Sequence, residues 1–184
     1  MVTQQFDIPM DSIAQSIPSQ IDQIHQLENK WKLWAHLPHN TDWSLSSYQC
    51  IYDFHSMEDV IAISETLPEI LVKNCMLFIM KDGISPVWED TQNRAGGCFS
   101  YKVPNKNVYS VWKELTYVLT GETLSSNPSF MKNVNGITIS PKKNFCIIKI
   151  WMRTCEYQNP GIVTGDVKGI IPQGCLFKKH TPEY

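Results

Sequence analysis

The chain has 184 residues, 42% of them hydrophobic and 18% charged, enough for one domain that buries about 70% of its unfolded surface and too few for two of comfortable size. Sixteen lysines and arginines against eighteen aspartates and glutamates leave a net charge of −2, which excludes a global cationic field, so any hold on a polyanion must come from a local site. No apolar run reaches the ~18 residues of a membrane helix, and the six cysteines stand singly without zinc-ligand spacing, so a soluble, cytoplasmic protein with reduced thiols and no metal is expected.

Residues 1 to 25 are rich in Gln and Ser, are broken by Pro9 and Pro18, and contain no basic segment followed by an apolar one. A flexible tail without a secretory signal is expected there, with the folded domain over 26 to 184. From Trp31 the texture becomes dense in aromatics. Trp31, Leu33 and Ala35 alternate with Lys32, Trp34 and His36 as the two faces of a strand, and Pro38 to Asp42 form the loop after it. Tyr48 to Phe54 reads as a second strand. Ser56 then caps a helix whose first turn is acidic at Glu58 and Asp59, whose apolar positions include Val60, Ile61 and Ile63, and which stops at Pro68.

Cys75 to Lys81 is a short buried strand, followed by a turn at Asp82-Gly83 and a loop carrying Trp88. Gly96 and Gly97 introduce a strand over Cys98 to Val103. Val108, Val111, Trp112, Leu115 and Leu119 keep helical spacing until Gly121. Ile137 to Ser140 and Asn144 to Arg153 are strands joined by the basic tip Pro141-Lys142-Lys143, and Cys175 to Lys179 is the last strand. Strands outnumber helices and follow one another through tight turns. That pattern predicts an α+β fold, a curved and largely antiparallel sheet with helices on its convex face and its concave face free for a ligand.

Trp31, Trp34 and Trp112 sit in periodic apolar contexts and read as core. Trp43, Trp88 and Trp151 stand among polar or loop residues instead, where composition leaves packing and ligand contact both open. Glu89 and Asp90 follow Trp88 directly. A flat π-face beside a fixed carboxylate suits a planar, cationic ring that donates parallel N–H bonds, and a modified nucleobase has that chemistry. The five histidines are scattered, none in a nucleophile context, so no catalysis is expected.

The segments Asn29 to Trp34, Trp43, Glu58-Asp59, the run Lys81-Asp82-Gly83-Ile84-Ser85-Pro86-Val87-Trp88-Glu89-Asp90, Gly96-Gly97, Trp112 to Glu114, Gly121-Glu122 and Ile150-Trp151 resemble the eukaryotic translation initiation factor 4E family, the messenger-RNA cap-binding proteins, in order and nearly in spacing over residues 25 to 156. The resemblance implies a monomeric, non-enzymatic protein without cofactor that binds capped messenger RNA. It assigns the 7-methylguanine sandwich to Trp43 and Trp88, the reading of the guanine N1 and N2 protons to Glu89, and the N7-methyl contact to Trp151.

The family's first phosphate-binding arginine falls on Cys98 and its later lysine on Ile147. The phosphate therefore goes to Lys142, which matches another family arginine, and to Lys149 and Arg153, which share strand parity with Trp151; Lys178 and Lys179 stand in reserve. The resemblance also implies a partner surface for scaffold or repressor proteins that dock a Y-x-x-x-x-L-Φ helix, at His25, Met57, Ile61, Glu114 and Glu122. Gln26, Ile61 and Lys113 replace the family's proline, tryptophan and leucine there, so altered or weakened docking is expected. A cap-sequestering repressor that does not recruit the usual scaffold is the alternative.

Overall fold

The computed structural model describes residues 24–180, so the expected tail lies outside the described residues but for Ile24 and His25. Among the described residues, seven strands form a single sheet: β1 (Gln26–His36), β2 (Tyr48–Ser56), β3 (Met76–Lys81), β4 (Gly97–Pro104), β5 (Val134–Pro141), β6 (Phe145–Met152) and β7 (Leu176–Lys179). Their spatial order is β2-β1-β3-β5-β6-β4-β7, and every neighbouring pair is antiparallel. The helices are α1 (Met57–Thr66), α2 (Glu69–Asn74), α3 (Val108–Thr120) and α4 (Pro128–Asn133). The strands and the two long helices stand where alternation and helical spacing place them. The short helices α2 and α4 were not legible, because six residues hold too few turns for a periodic signal.

Side-chain alternation divides the sheet into two chemistries. Trp31, Leu33 and Ala35 on β1, with Leu77, Ile79, Ile137, Ile139, Ile148, Ile150 and Phe99 on the inner strands, point to one face and are buried against Val60 and Ile63 of α1, Val72 of α2, and Val111, Trp112 and Leu115 of α3. The opposite face carries a second, smaller cluster of Phe78, Met80, Ile84 and Trp151 without helical cover, fringed by Trp34, Tyr48 and Met76. Trp34, expected in the core, therefore belongs to the concave face. Gly136 stands opposite Trp151 where β5 approaches β3. A Cβ there would lie 2.2 Å from the Ile79 carbonyl oxygen, so only glycine fits.

The Ser56 cap forms as a reciprocal pair. Ser56 Oγ accepts from the Asp59 N–H at 3.1 Å, and the Asp59 carboxylate accepts from the Ser56 N–H at 3.2 Å. Ser56→Ala removes the side-chain half of that box and is expected to lower stability by about 1 kcal/mol in urea unfolding, with an unchanged m-value. At the end of α3 the sequence marked Gly121 as the reversal, but Gly121 has φ −81° and the left-handed residue is Glu122 at φ 57°. Asn29 on β1 donates to the Glu122 carboxylate at 2.6 Å, a bond that ties this turn to the sheet.

Candidate functional site

Trp88 and Glu89 ride on the loop between β3 and β4, and buried amides hold that loop in shape. Asn93, fully buried, donates to the carbonyls of Ser85 at 3.0 Å and Val87 at 2.8 Å. Asp90 accepts from the Ser85 and Gln92 backbone N–H groups at 2.9 and 2.8 Å. Asn135 on β5 donates to the Gln92 carbonyl and the Asn93 side-chain oxygen at 2.7 and 2.9 Å. The bonds of Asn93 and Asn135 satisfy groups that burial would otherwise leave unpaired, and together with those of Asp90 they fix the loop without using the indole of Trp88 or the carboxylate of Glu89. Neither Asn93 nor Asn135 was singled out in the sequence; their pairing spans 42 residues and leaves no local pattern.

Trp43, Trp88, Glu89, Trp151 and Lys149 line one cavity of about 280 Å³, together with Tyr48, Phe78, Pro86 and Thr138, a volume near the lower end of small-ligand sites. The two loop tryptophans are open, Trp43 at 58% and Trp88 at 42% exposure, whereas Trp151 is buried in the wall. Its indole N–H donates to Thr138 Oγ1 at 2.6 Å, and the His180 ring packs against it at 4.8 Å. Burial, and then the charge of Glu89, push the Tyr48 phenol upward in pKa, so the Glu89 carboxylate acts on the same space. Burial, with a smaller contribution from Lys149, pushes the His180 imidazole down. His180 Nδ1 bonds the Asn93 carbonyl at 2.8 Å, which joins β7 to the Trp88 loop.

The cations divide differently from their sequence assignment. Lys149 lies at the cavity, but Lys142 sits exposed at the hairpin tip and does not line it. Arg153 is separated from Lys149 because β6 ends at Met152, so strand parity stops before it; its N–H turns to the Asn133 carbonyl at 2.7 Å. Arg153 lines instead a larger, open groove of about 1110 Å³ with Lys81, Glu28, Glu122 and Asp166. That groove is bigger but mixes both signs of charge and contains none of the exposed indoles. Of the reserve lysines, Lys178 pairs directly across from Cys98, and Cys98 from Trp151. Antiparallel partners point to the same face, so Lys178 shares the concave side and Lys179, opposite Gly97, does not.

On the helical side, His25 Nδ1 meets the Glu58 carboxylate at 2.7 Å and the His25 carbonyl accepts from the Met57 N–H at 2.9 Å. Ile61 is half exposed one turn further along α1. Glu114 on α3 accepts from the Lys168 N–H at 3.3 Å, and Lys113 pairs with Glu65, bridging α3 to α1. No helix among the described residues is long and apolar enough to cross a membrane, and all six cysteines are free.

A seven-stranded antiparallel sheet, backed by helices on one face and bearing a cavity walled by exposed indoles and a carboxylate on the other, defines an α+β domain with an aromatic concave site. The family model of eukaryotic initiation factor 4E matches residues 26–167, and the chain belongs to that family. Among its relatives, translation initiation factor 4E-2 of Schizosaccharomyces pombe is 30% identical over 141 residues, 72% of this chain and 55% of the relative. The translation initiation factor 4E homolog of Acanthamoeba polyphaga mimivirus is 48% identical over 62 residues, 34% of this chain and 23% of the relative. The chain thus spans less than two thirds of the length of either. A similar fold is seen in C. elegans eIF4E-3 solved with the 4E-binding protein Mextli and cap analog, at a TM-score of 0.64 and 22% identity over 72% of this chain and 76% of that one.

Proposed function

We propose that this chain binds the 7-methylguanosine 5′ cap of messenger RNA and acts, without catalysis, in translation initiation. One observation carries the reading: two open indoles, a carboxylate, a buried third indole and a lysine from three separate segments line a single cavity. Methylation at N7 leaves the purine with a delocalised positive charge, which strengthens its stacking between the π-faces of Trp43 and Trp88. Glu89 accepts the N1 and N2 protons of guanine and rejects adenine, whose edge offers an acceptor at the N1 position. Trp151 walls the side where the methyl group sits. Belonging to the initiation factor 4E family and sharing the fold of a protein solved with cap analog support this assignment. Isothermal titration with 7-methyl-GTP tests it directly, and absence of binding by the folded protein sinks it.

Lys149 at the cavity and Lys178 beside Cys98 are the cations proposed for the phosphate bridge, in place of Lys142 and Arg153. Lys149→Ala is expected to weaken 7-methyl-GTP binding several-fold at low salt and to flatten the dependence of affinity on salt. Lys142→Ala should change that dependence less. Equal salt slopes for wild type and Lys149→Ala would place the phosphate elsewhere.

A specific observation also favours the sequestering alternative. Lys113 is engaged with Glu65 across α1 and α3, and Ile61 supplies apolar area without an indole donor. A helix of the Y-x-x-x-x-L-Φ pattern meets an ion pair and a smaller contact there. Capture on immobilised 7-methyl-GTP with and without such a peptide separates the two: peptide retained through the protein supports initiation, and cap binding without peptide supports sequestration.

A further inference from the structure

Trp43 is an open ring on the loop between β1 and β2, yet its plane is already fixed. His36, the last residue of β1 and only 2% exposed, lies flat against it, with ring centroids 4.3 Å apart and planes 1° from parallel. The same imidazole meets the Asp42 carbonyl oxygen through Nε2 at 2.8 Å. A carbonyl can only accept, so Nε2 carries the hydrogen and donates. His36 thus holds the Trp43 side chain by its face and the backbone just before Trp43 by its edge.

The remaining bonds recorded in this loop are local. Asn40 accepts from the Asp42 N–H, and Asp42 accepts from the Ser44 N–H and hydroxyl. They shape the loop but do not join it to the sheet. His36 does, because it pairs with Met76 on β3 and Tyr48 on β2, and the Tyr48 ring packs 5.0 Å from its own. We propose that His36 is a positioning residue: it presets the plane of the Trp43 indole so that one π-face is backed by imidazole and the other stays open to a ligand. The inference rests on the reading of Trp43 as a stacking plate. Ordering an aromatic ring before the ligand arrives removes that entropy from the binding step.

The arrangement also carries a signature of its own. The charged group facing His36 is the Asp42 carboxylate, whose pKa is held low by bonds from Ser44 and, to a lesser degree, by His36; Tyr48 from β2 and Met76 from β3 complete the surroundings. An indole held flat against a fixed ring keeps one orientation in an asymmetric setting, and side chains so fixed have a near-ultraviolet circular dichroism signal that mobile ones lose.

The test compares wild type, His36→Ala and His36→Phe. His36→Ala is expected to lose roughly 2- to 12-fold in affinity for 7-methyl-GTP, as befits one ring left unordered, and His36→Phe, which restores the stack, to recover most of it. In the ligand-free protein, the near-ultraviolet circular dichroism of Trp43, taken as the difference from Trp43→Phe, is expected to be present in wild type and in His36→Phe and to be largely lost in His36→Ala. Wild-type affinity in folded His36→Ala, or no recovery in His36→Phe, overturns the proposal. Should wild type fail to bind 7-methyl-GTP at all, the stacking reading fails instead, and the Trp43 dichroism decides alone: lost in folded His36→Ala and kept in His36→Phe it upholds the positioning role, and an unchanged signal in His36→Ala overturns it.

Discussion

Trp88→Ala and Trp43→Ala are each expected to abolish retention of the protein on 7-methyl-GTP resin while leaving its thermal unfolding midpoint nearly unchanged. Stacking of a base on an aromatic side chain is worth about 1–3 kcal/mol by alanine substitution, and a cation–π contribution adds ~2 kcal/mol when the pair is desolvated. Losing one plate also opens the other face to water, so the two variants should each cost about 3–5 kcal/mol, roughly half of the ~8 kcal/mol expected of a micromolar site. The fold should not suffer. Trp88 is 42% exposed, and the loop that carries it is held by Asp90, Asn93 and Asn135. Trp43 is more exposed still, and its neighbours Asp42 and Ser44 keep their own bonds in its absence. Normal retention of either variant contradicts the sandwich.

Glu89→Ala should weaken binding by more than tenfold. Two parallel hydrogen bonds from the base to a carboxylate are charge-assisted, and bonds of that kind contribute about 1.5–3 kcal/mol each to net stability. The adjacent Asp90 is no substitute, since both of its oxygens already accept backbone N–H groups, from Ser85 and from Gln92. Glu89→Gln keeps the shape but turns one acceptor into a donor aimed at a donor, so it should bind no better than Glu89→Ala. Calorimetric titration of all three proteins with 7-methyl-GTP measures this, and an unchanged dissociation constant for Glu89→Ala removes Glu89 from the site.

Much of the fold could be read from local pattern. Alternation at Trp31, Leu33 and Ala35 gave the buried face of β1, and helical spacing from Val108 to Leu119 gave α3. Contacts between distant segments could not be read this way. The insertion of β4 between β6 and β7 is a matter of long-range pairing, and it is this pairing that sets Lys178 beside Cys98. Arg153 was misplaced because parity holds only while a strand lasts, and β6 stops one residue earlier. His36 and His180 carry no motif; their positions against Trp43 and Trp151 follow from tertiary packing. The indoles and the acid that line the cavity were singled out in the sequence by the resemblance of the run Lys81 to Asp90 and of the ordered tryptophans, which decided between packing and ligand contact where composition left both open.

In the proposed complex, Trp43 and Trp88 grip a purine because it is positively charged. Quenching of the intrinsic tryptophan fluorescence by 7-methyl-GTP, measured beside GTP in the same buffer, tests this most directly, because the two ligands share base edge and phosphates and differ in the charge on the ring. Strong, saturable quenching by 7-methyl-GTP with at least tenfold weaker binding of GTP, roughly 1.4 kcal/mol of discrimination, is the predicted result. Equal quenching by both nucleotides, or none by either, would contradict it.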